Sequence, residues 1–280
     1  MQMAKRLFQA KKAGHTGCLD PLATGLLPIC FGEATKFSRF LLESHKCYRV
    51  VAKLGIRTDT GDCEGTIISK QTPSLVPRAD LEALLQKFTG NQLQIPSMFS
   101  ALKHQGQPLY KFARQGIEIE RAARPVFIEK ITLLDWRDNL LSLEIVVSKG
   151  TYIRTLVDDI GVALGCGAHV TDLRRTQVGS FSEREAMAFE TLNAIAEENG
   201  AETLANTLLP IRNVLTNIPW ITLSLDLAHL LRQGQAVHPS HSLKEGWVQL
   251  CTESHFLGIG EILADGRIAP RRLTQEGVPL

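Results

Sequence analysis

The residue in this chain with the clearest capacity for chemistry is Asp20, set in the segment KKAGHTGCLDPLATGLLPICFGEATK that runs from Lys11 to Lys36. Pro21 follows it directly and turns its backbone away from helical angles. Gly14 and Gly17 precede it and permit a tight approach of the chain, and His15 stands five residues upstream. A carboxylate held on such a loop can point into a cleft and act as a nucleophile or as a base. An aspartate before proline also has a plainer use, bonding back to its own turn. Taken alone, Asp20 is open to both readings.

The elements around this loop follow from periodicity and turn residues. Residues 2–12 read as a short helix with Met3, Leu7 and Phe8 on one face. Residues 13–32 read as a structured loop rich in Gly and Pro. Residues 33–43 place Phe37, Phe40 and Leu41 at helical spacing. From Tyr48 the run YRVVAKLGIRTDTGDCEGTIIS reads as two strands joined by a long connection. Residues 79–88 read as an amphipathic helix, and residues 126–134 and 140–147 as a strand pair around Asp138-Asn139. Residues 151–165 predict a helix with Ile153, Leu156, Ile160 and Leu164 on one face and Gly165 as its stop. Residues 168–181 read as a strand. After about residue 214 short strand-like pieces alternate with Gly, Pro and Asp turns, which predicts a small β-rich module.

Composition narrows the class. The chain has 280 residues, 44% hydrophobic and 21% charged, as an ordinary globular protein does. No apolar run reaches the roughly 18 residues that a membrane helix needs, and the basic N-terminus lacks the apolar segment of a signal peptide. A cytoplasmic location and no membrane partner are the expectation. The six cysteines form no CxxC pair and have no His-rich segment nearby, so a zinc site is not expected. Cys18, the one cysteine close to Asp20, is not expected to be the nucleophile. The net charge of +2 is unevenly spread: residues 1–57 hold ten Lys or Arg against three acids, while residues 181–204 hold one Arg against six Glu. A basic first quarter suits a phosphate backbone, and the acidic stretch reads as a solvated helix face.

Three later segments give Asp20 its context: YRV at 48–50, SKGTYIRT at 148–155 and HVTDLRR at 169–175. Together with GHTGCLDPLATGLLP, they resemble the bacterial tRNA pseudouridine-55 synthase family, the TruB family. The resemblance covers nearly the whole chain and implies an α+β fold. A large mixed, mostly antiparallel sheet would be flanked by helices, with a small PUA-like β-barrel at the C-terminus. Residues 1–214 would form the catalytic domain, with an RNA-gripping insertion at about 97–125, and residues 215–280 an RNA-binding domain.

The activity so implied is isomerisation of the T-loop uridine at tRNA position 55, without cofactor or metal, acting on the T-arm stem-loop and without a protein partner. The glycosidic bond breaks, the uracil turns, and it rejoins its ribose through carbon 5. By resemblance Asp20 is the nucleophile, and the sequence does not choose between a covalent route and one in which it acts as a base toward the ribose. Arg154 would hold Asp20 ionised and oriented. Tyr48 would stack on the flipped base, returning about 1–3 kcal/mol of the unstacking cost. His15 would fill the gap left by the flipped nucleotide, and Tyr152 and Leu173 would line the uracil pocket. Lys36, Arg174 and Arg175 are expected at phosphates.

One departure carries its own expectation. Members of the family usually have a further strand before this start, with a Lys-Pro-x-Gly-x-(Thr/Ser)-Ser signature, and its absence here predicts lowered stability. It also keeps a second reading in view, a non-catalytic tRNA-binding or folding protein. A guide-RNA-dependent relative modifying ribosomal RNA shares the GH(T/S)GxLDP core, but the LATGLLP continuation and the absence of long basic tails argue against it. A phosphate-loop nucleotide enzyme is excluded, since no GxxxxGK(S/T) or GxGxxG follows a strand.

Overall fold

The computed structural model describes residues 1–74, 76–239 and 244–279. Contact density divides the chain into two compact units: residues 17–27 with 43–186, and residues 1–16 and 28–42 with 187–280. That division falls near residue 186, upstream of the boundary at 214 that the change in texture suggested.

The first of these units is built on seven strands: β1 (Thr24–Gly25), β2 (Lys46–Leu54), β3 (Gly90–Gln94), β4 (Arg124–Arg137), β5 (Leu140–Val147), β6 (Ala168–Val178) and β7 (Phe181–Ser182). Their order is β7-β6-β2-β5-β4-β3, all antiparallel, with β1 added in parallel alongside β6. The sequence explains the two longest neighbours. In β2, Val50, Ala52 and Leu54 turn inward at every second residue, and in β5 Leu141, Leu143, Ile145 and Val147 do the same. Asp138 takes the left-handed conformation (φ 53°) that closes the β4–β5 hairpin.

Two helices cover the sheet: α1 (Arg78–Lys87) and α2 (Ile153–Ala163). Ile153, Leu156, Val157 and Ile160 are all no more than 3% exposed, and each contributes about 1.5–3 kcal/mol by burial. Gly165 (φ 79°) ends the helix as its type predicts. Gly161 lets α2 lie flat against the start of β6, for a Cβ there would sit 2.2 Å from the Ala168 nitrogen.

The region 97–125 holds a minimal hairpin, Lys103–His104 with Gln107–Pro108, followed by the helix Leu109–Ala113. The strand expected from 48 onward continues beyond Gly55 as a separate hairpin, Ile56–Thr58 with Ile67–Lys70.

The second unit differs from expectation in several elements. The first helix is Gln2–Leu7, shorter than 2–12. The presumed loop 13–32 includes the strands Ala13–His15 and Ile29–Phe31, which pair with each other. Residues 33–43 divide into a 3-10 turn, Gly32–Lys36, and a helix, Ser38–Glu43. The acidic stretch does form a helix, Phe189–Ala205, interrupted at Gly200.

The C-terminal module, expected as a small barrel, presents one four-stranded sheet: Trp220–Thr222, Gly246–Cys251, His255–Ile262 and Ile268–Pro279. It also carries a helix the sequence reading lacked, Leu225–Arg232, capped by the Ser224 hydroxyl. Its eight residues sit between strand-like runs and present only about two turns of pattern. Phe37, fully buried against Leu215, Cys251, Phe256 and Ile259, explains why the N-terminal hairpin groups with this module.

Candidate active site

Asp20 and Arg154, 134 residues apart in sequence, meet side by side. Arg154 Nε donates to Asp20 Oδ2 and Arg154 Nη2 to Asp20 Oδ1, both at 2.9 Å. This is the bidentate fork that fixes a carboxylate in plane as well as in place. The guanidinium side is buried, with the Arg154 side chain 5% exposed, whereas the Asp20 side chain remains 30% exposed. Its anchoring face is therefore closed and its working face is open.

Each remaining Arg154 donor is taken. Nη1 donates to the Thr60 carbonyl (2.9 Å) and to Asp62 Oδ2 (3.2 Å), and Nη2 also donates to the Phe99 carbonyl (3.1 Å). With five N–H groups and five acceptors, the guanidinium has one orientation that satisfies it. In the sequence Asp62 is only one residue of the long connection after Tyr48. Its side chain is only 4% exposed, and its other oxygen accepts from the Thr60 hydroxyl (2.6 Å) and the Glu64 amide (3.1 Å). The buried arginine is paired with two carboxylates, so its own charge is compensated, as burial requires, and the cluster keeps a net negative charge on the Asp20 side open to solvent.

The loop carrying Asp20 is held at both ends by Arg175. Its Nε donates to the Leu26 carbonyl (2.8 Å) and its Nη2 to the Gly17 carbonyl (3.1 Å). Gly25, at φ 97°, lies so close to β6 that a Cβ would stand 2.3 Å from the Arg175 carbonyl oxygen. Arg175 is 1% exposed, which corrects its assignment as a phosphate contact: it is buried, and two of its donors hold the loop. Arg174 stays at the surface, its Nε bonded to Glu183 at 2.6 Å.

Tyr48 lies on β2, half-buried, with its phenol pushed above the ordinary range by burial, against the opposing effect of the Arg175 guanidinium. Tyr152 precedes α2, and burial raises its phenol too, with the nearby Asp20 charge adding to the shift. Both rings therefore stay neutral beside the carboxylate. Gln94 on β3 fixes the start of α2: its Oε1 accepts from the Tyr152 amide (2.8 Å) and its Nε2 donates to the Tyr152 carbonyl (3.0 Å). Leu173, 2% exposed, belongs to the apolar core against which Tyr48, Leu22 and Ala23 pack.

His15 and Lys36 belong to the other unit. His15 pairs with Ile29 in its hairpin. Lys36 donates to Glu33 Oε2 (2.8 Å) and to the Leu273 carbonyl (3.0 Å), so its ammonium already has partners within its own unit. Among the described residues no group of His, Cys, Asp and Glu could hold a metal ion, and no helix is long and apolar enough to cross a membrane.

Comparison with known proteins gives this geometry a context. Residues 5–153 match the family described as TruB family pseudouridylate synthase (N terminal domain). Residues 154–216 match the tRNA pseudouridylate synthase B C-terminal domain, and residues 219–274 match Pseudouridine synthase II TruB, C-terminal. The chain is 51% identical over 286 residues to a protein of Yersinia pestis named tRNA pseudouridine synthase B, covering 99% of this chain and 88% of that one. It is 53% identical over 275 residues to the protein of the same name from Nitrosococcus oceani, covering 98% and 89%. Among solved structures, one of an H/ACA RNP bound to a substrate RNA containing 2'-deoxyuridine has a similar fold, with a TM-score of 0.72 at 20% identity over 98% of this chain and 80% of that one.

Proposed function

Since the chain belongs to the TruB family of pseudouridylate synthases, we propose that it isomerises uridine to pseudouridine in tRNA, at the T-loop uridine of position 55. The observation that carries this reading is the half-open Asp20 carboxylate locked by a buried, fully satisfied Arg154. A protein that only binds RNA gains nothing from that arrangement. A carboxylate that must react needs it, because it has to be ionised and aimed before substrate arrives.

In this reading the target uridine leaves its stack and its ring settles against Tyr48, whose neutral face recovers part of the unstacking cost. Asp20 starts the exchange, as nucleophile or as base, while the Arg154 fork keeps the attacking oxygen in plane. Once detached, the uracil turns between Tyr48, Tyr152 and Leu173 and bonds its carbon 5 to the ribose. The hydrogen on carbon 5 then departs as a proton. His15 and Lys36 would meet the RNA rather than the reacting base. The family's chemistry supports a site in the cytoplasm, where tRNA is found.

The test is tritium release from a T-arm stem-loop labelled at carbon 5 of its uridines. Wild type is expected to release tritium, and Asp20→Asn to fall to background while binding the RNA within about threefold of wild type. Turnover retained by Asp20→Asn would remove Asp20 from the chemistry.

A further inference from the structure

One cavity is lined without Asp20. It has a volume of about 560 Å³ and lies within the sheet-bearing unit, between the Ile56–Thr58 and Ile67–Lys70 hairpin, the 95–99 segment, the 116–121 segment and the flank of α2. That volume falls in the range of sites that take one small organic group, about 300–1,000 Å³. One wall is apolar, with Ile68, Ile95, Met98 and Ile117, and of these Ile68, Ile95 and Ile117 are exposed. The other wall carries charge.

The charges there are unequal in their commitments. Arg57 is paired with Asp158 through two bonds of 2.7 and 2.8 Å. Arg154 is spent on Asp20 and Asp62, and Asp59 accepts from the Thr66 amide at 2.8 Å. Arg121 differs. Its Nε and Nη1 are buried and have no hydrogen-bond partner among the described residues. Its Nη2 reaches Glu118 only at 3.6 Å, and that carboxylate is 82% exposed. A guanidinium edge removed from water without an acceptor costs free energy unless a ligand supplies one. Nε and Nη2 make the planar fork that fits a phosphate; of these Nε has no partner among the described residues and Nη2 meets only Glu118 at 3.6 Å.

We infer that this cavity is a second nucleotide site: it takes an unstacked nucleotide of the same RNA, its base on the isoleucine wall and its phosphate on Arg121. This rests on the reading of the neighbouring site as RNA-modifying. The two sites share a wall. Thr60 and Phe99 line the cavity, and their carbonyls are acceptors of Arg154. A nucleotide seated there presses on the same backbone that orients the nucleophile's partner, so its occupancy bears on turnover as well as on affinity.

The experiment is a scan of the stem-loop with a single abasic nucleotide at each loop position other than the target, followed by a methylphosphonate at the phosphate of any position that responds. Binding and tritium release are measured for wild type, Arg121→Ala and Ile68→Ser, each checked by urea unfolding. One abasic position is expected to weaken wild-type binding about tenfold or more. Arg121→Ala should weaken binding of the intact RNA about ten- to a hundredfold, and should respond little to that same abasic position or methylphosphonate, because coupled groups are non-additive. Ile68→Ser should lose sensitivity to the abasic position while keeping sensitivity to the methylphosphonate. If wild type binds and turns over the RNA, yet no position couples to either variant, the second site is wrong and the reading of Asp20 stands. A wild type that neither binds nor releases tritium overturns both.

Discussion

Asp62→Asn tests how the nucleophile is held. The substitution preserves the shape of a side chain only 4% exposed. It also preserves an acceptor where Asp62 Oδ1 now receives the Thr60 hydroxyl at 2.6 Å and the Glu64 amide at 3.1 Å. Those two donors place the amide oxygen on their side. The amide nitrogen must then stand where Oδ2 received Arg154 Nη1 at 3.2 Å, so a donor faces a donor. A hydrogen bond to a charged group contributes about 1.5–3 kcal/mol, and each 1.36 kcal/mol or so on a barrier is tenfold in rate. The fork to Asp20 survives but loses its backing. Single-turnover tritium release with enzyme in excess is therefore expected to slow by roughly ten- to a hundredfold. Affinity for RNA should stay within about threefold, since the Asp62 side chain hardly reaches the surface. A release rate within twofold of wild type would refute the idea that the second carboxylate orients Arg154.

Two further outcomes follow from the same loop and sheet. Gly25→Ala should lower the urea midpoint and the release rate together. The new Cβ would lie 2.3 Å from the Arg175 carbonyl at φ 97°, where strain costs about 1–3 kcal/mol; an unchanged midpoint would mean that β1 does not pin the Asp20 loop. Lys46, 7% exposed, has its ammonium pushed down from 10.5 to about 8 by burial first and by Arg175 and Lys149 next. A base with a lowered folded pKa favours folding above its unfolded value and loses that contribution as the pH falls through the folded one. Wild type should therefore gain stability relative to Lys46→Met between pH 7 and pH 10, as read from urea midpoints; parallel profiles would show that burial leaves the ammonium undisturbed.

Much of the sheet-bearing unit was legible because its elements are long and strictly periodic. The alternation of Val50, Ala52 and Leu54, and the helical spacing of Ile153, Leu156 and Ile160, each point to one buried face. The Gly165 stop and the turn at Asp138 followed from residue type. What escaped is short. A three-residue strand such as Ala13–His15 shows less than two full alternations, and its identity comes from its partner Ile29–Phe31 rather than from its own pattern. The helix Leu225–Arg232 is fixed by its Ser224 cap and by burial of Ala228 and Leu231 against the sheet formed by the strands on either side of it. The grouping of residues 28–42 with the C-terminal segments goes with Phe37 reaching a core 178 to 222 residues away in sequence, which no local signal reports.

The site divides the same way. Asp20 and Arg154 were found through the motifs around them, whereas Asp62 and Gln94 act only through what they touch: one backs a guanidinium 92 residues on, the other caps a helix 58 residues on. Arg175 is a different case, because the signal was present. Leu173, Arg174 and Arg175 occupy consecutive positions on one strand, and consecutive strand residues face opposite sides. If Leu173 lines the core, Arg174 points out and Arg175 must point in. On a regular strand with one face in the core, two adjacent arginines face opposite sides, and the inward one is a buried cation that needs acceptors. Here those acceptors are the carbonyls of Gly17 and Leu26, the two ends of the Asp20 loop. The inward arginine thus anchors the loop that carries the nucleophile, a role that follows from period two once the strand is recognised.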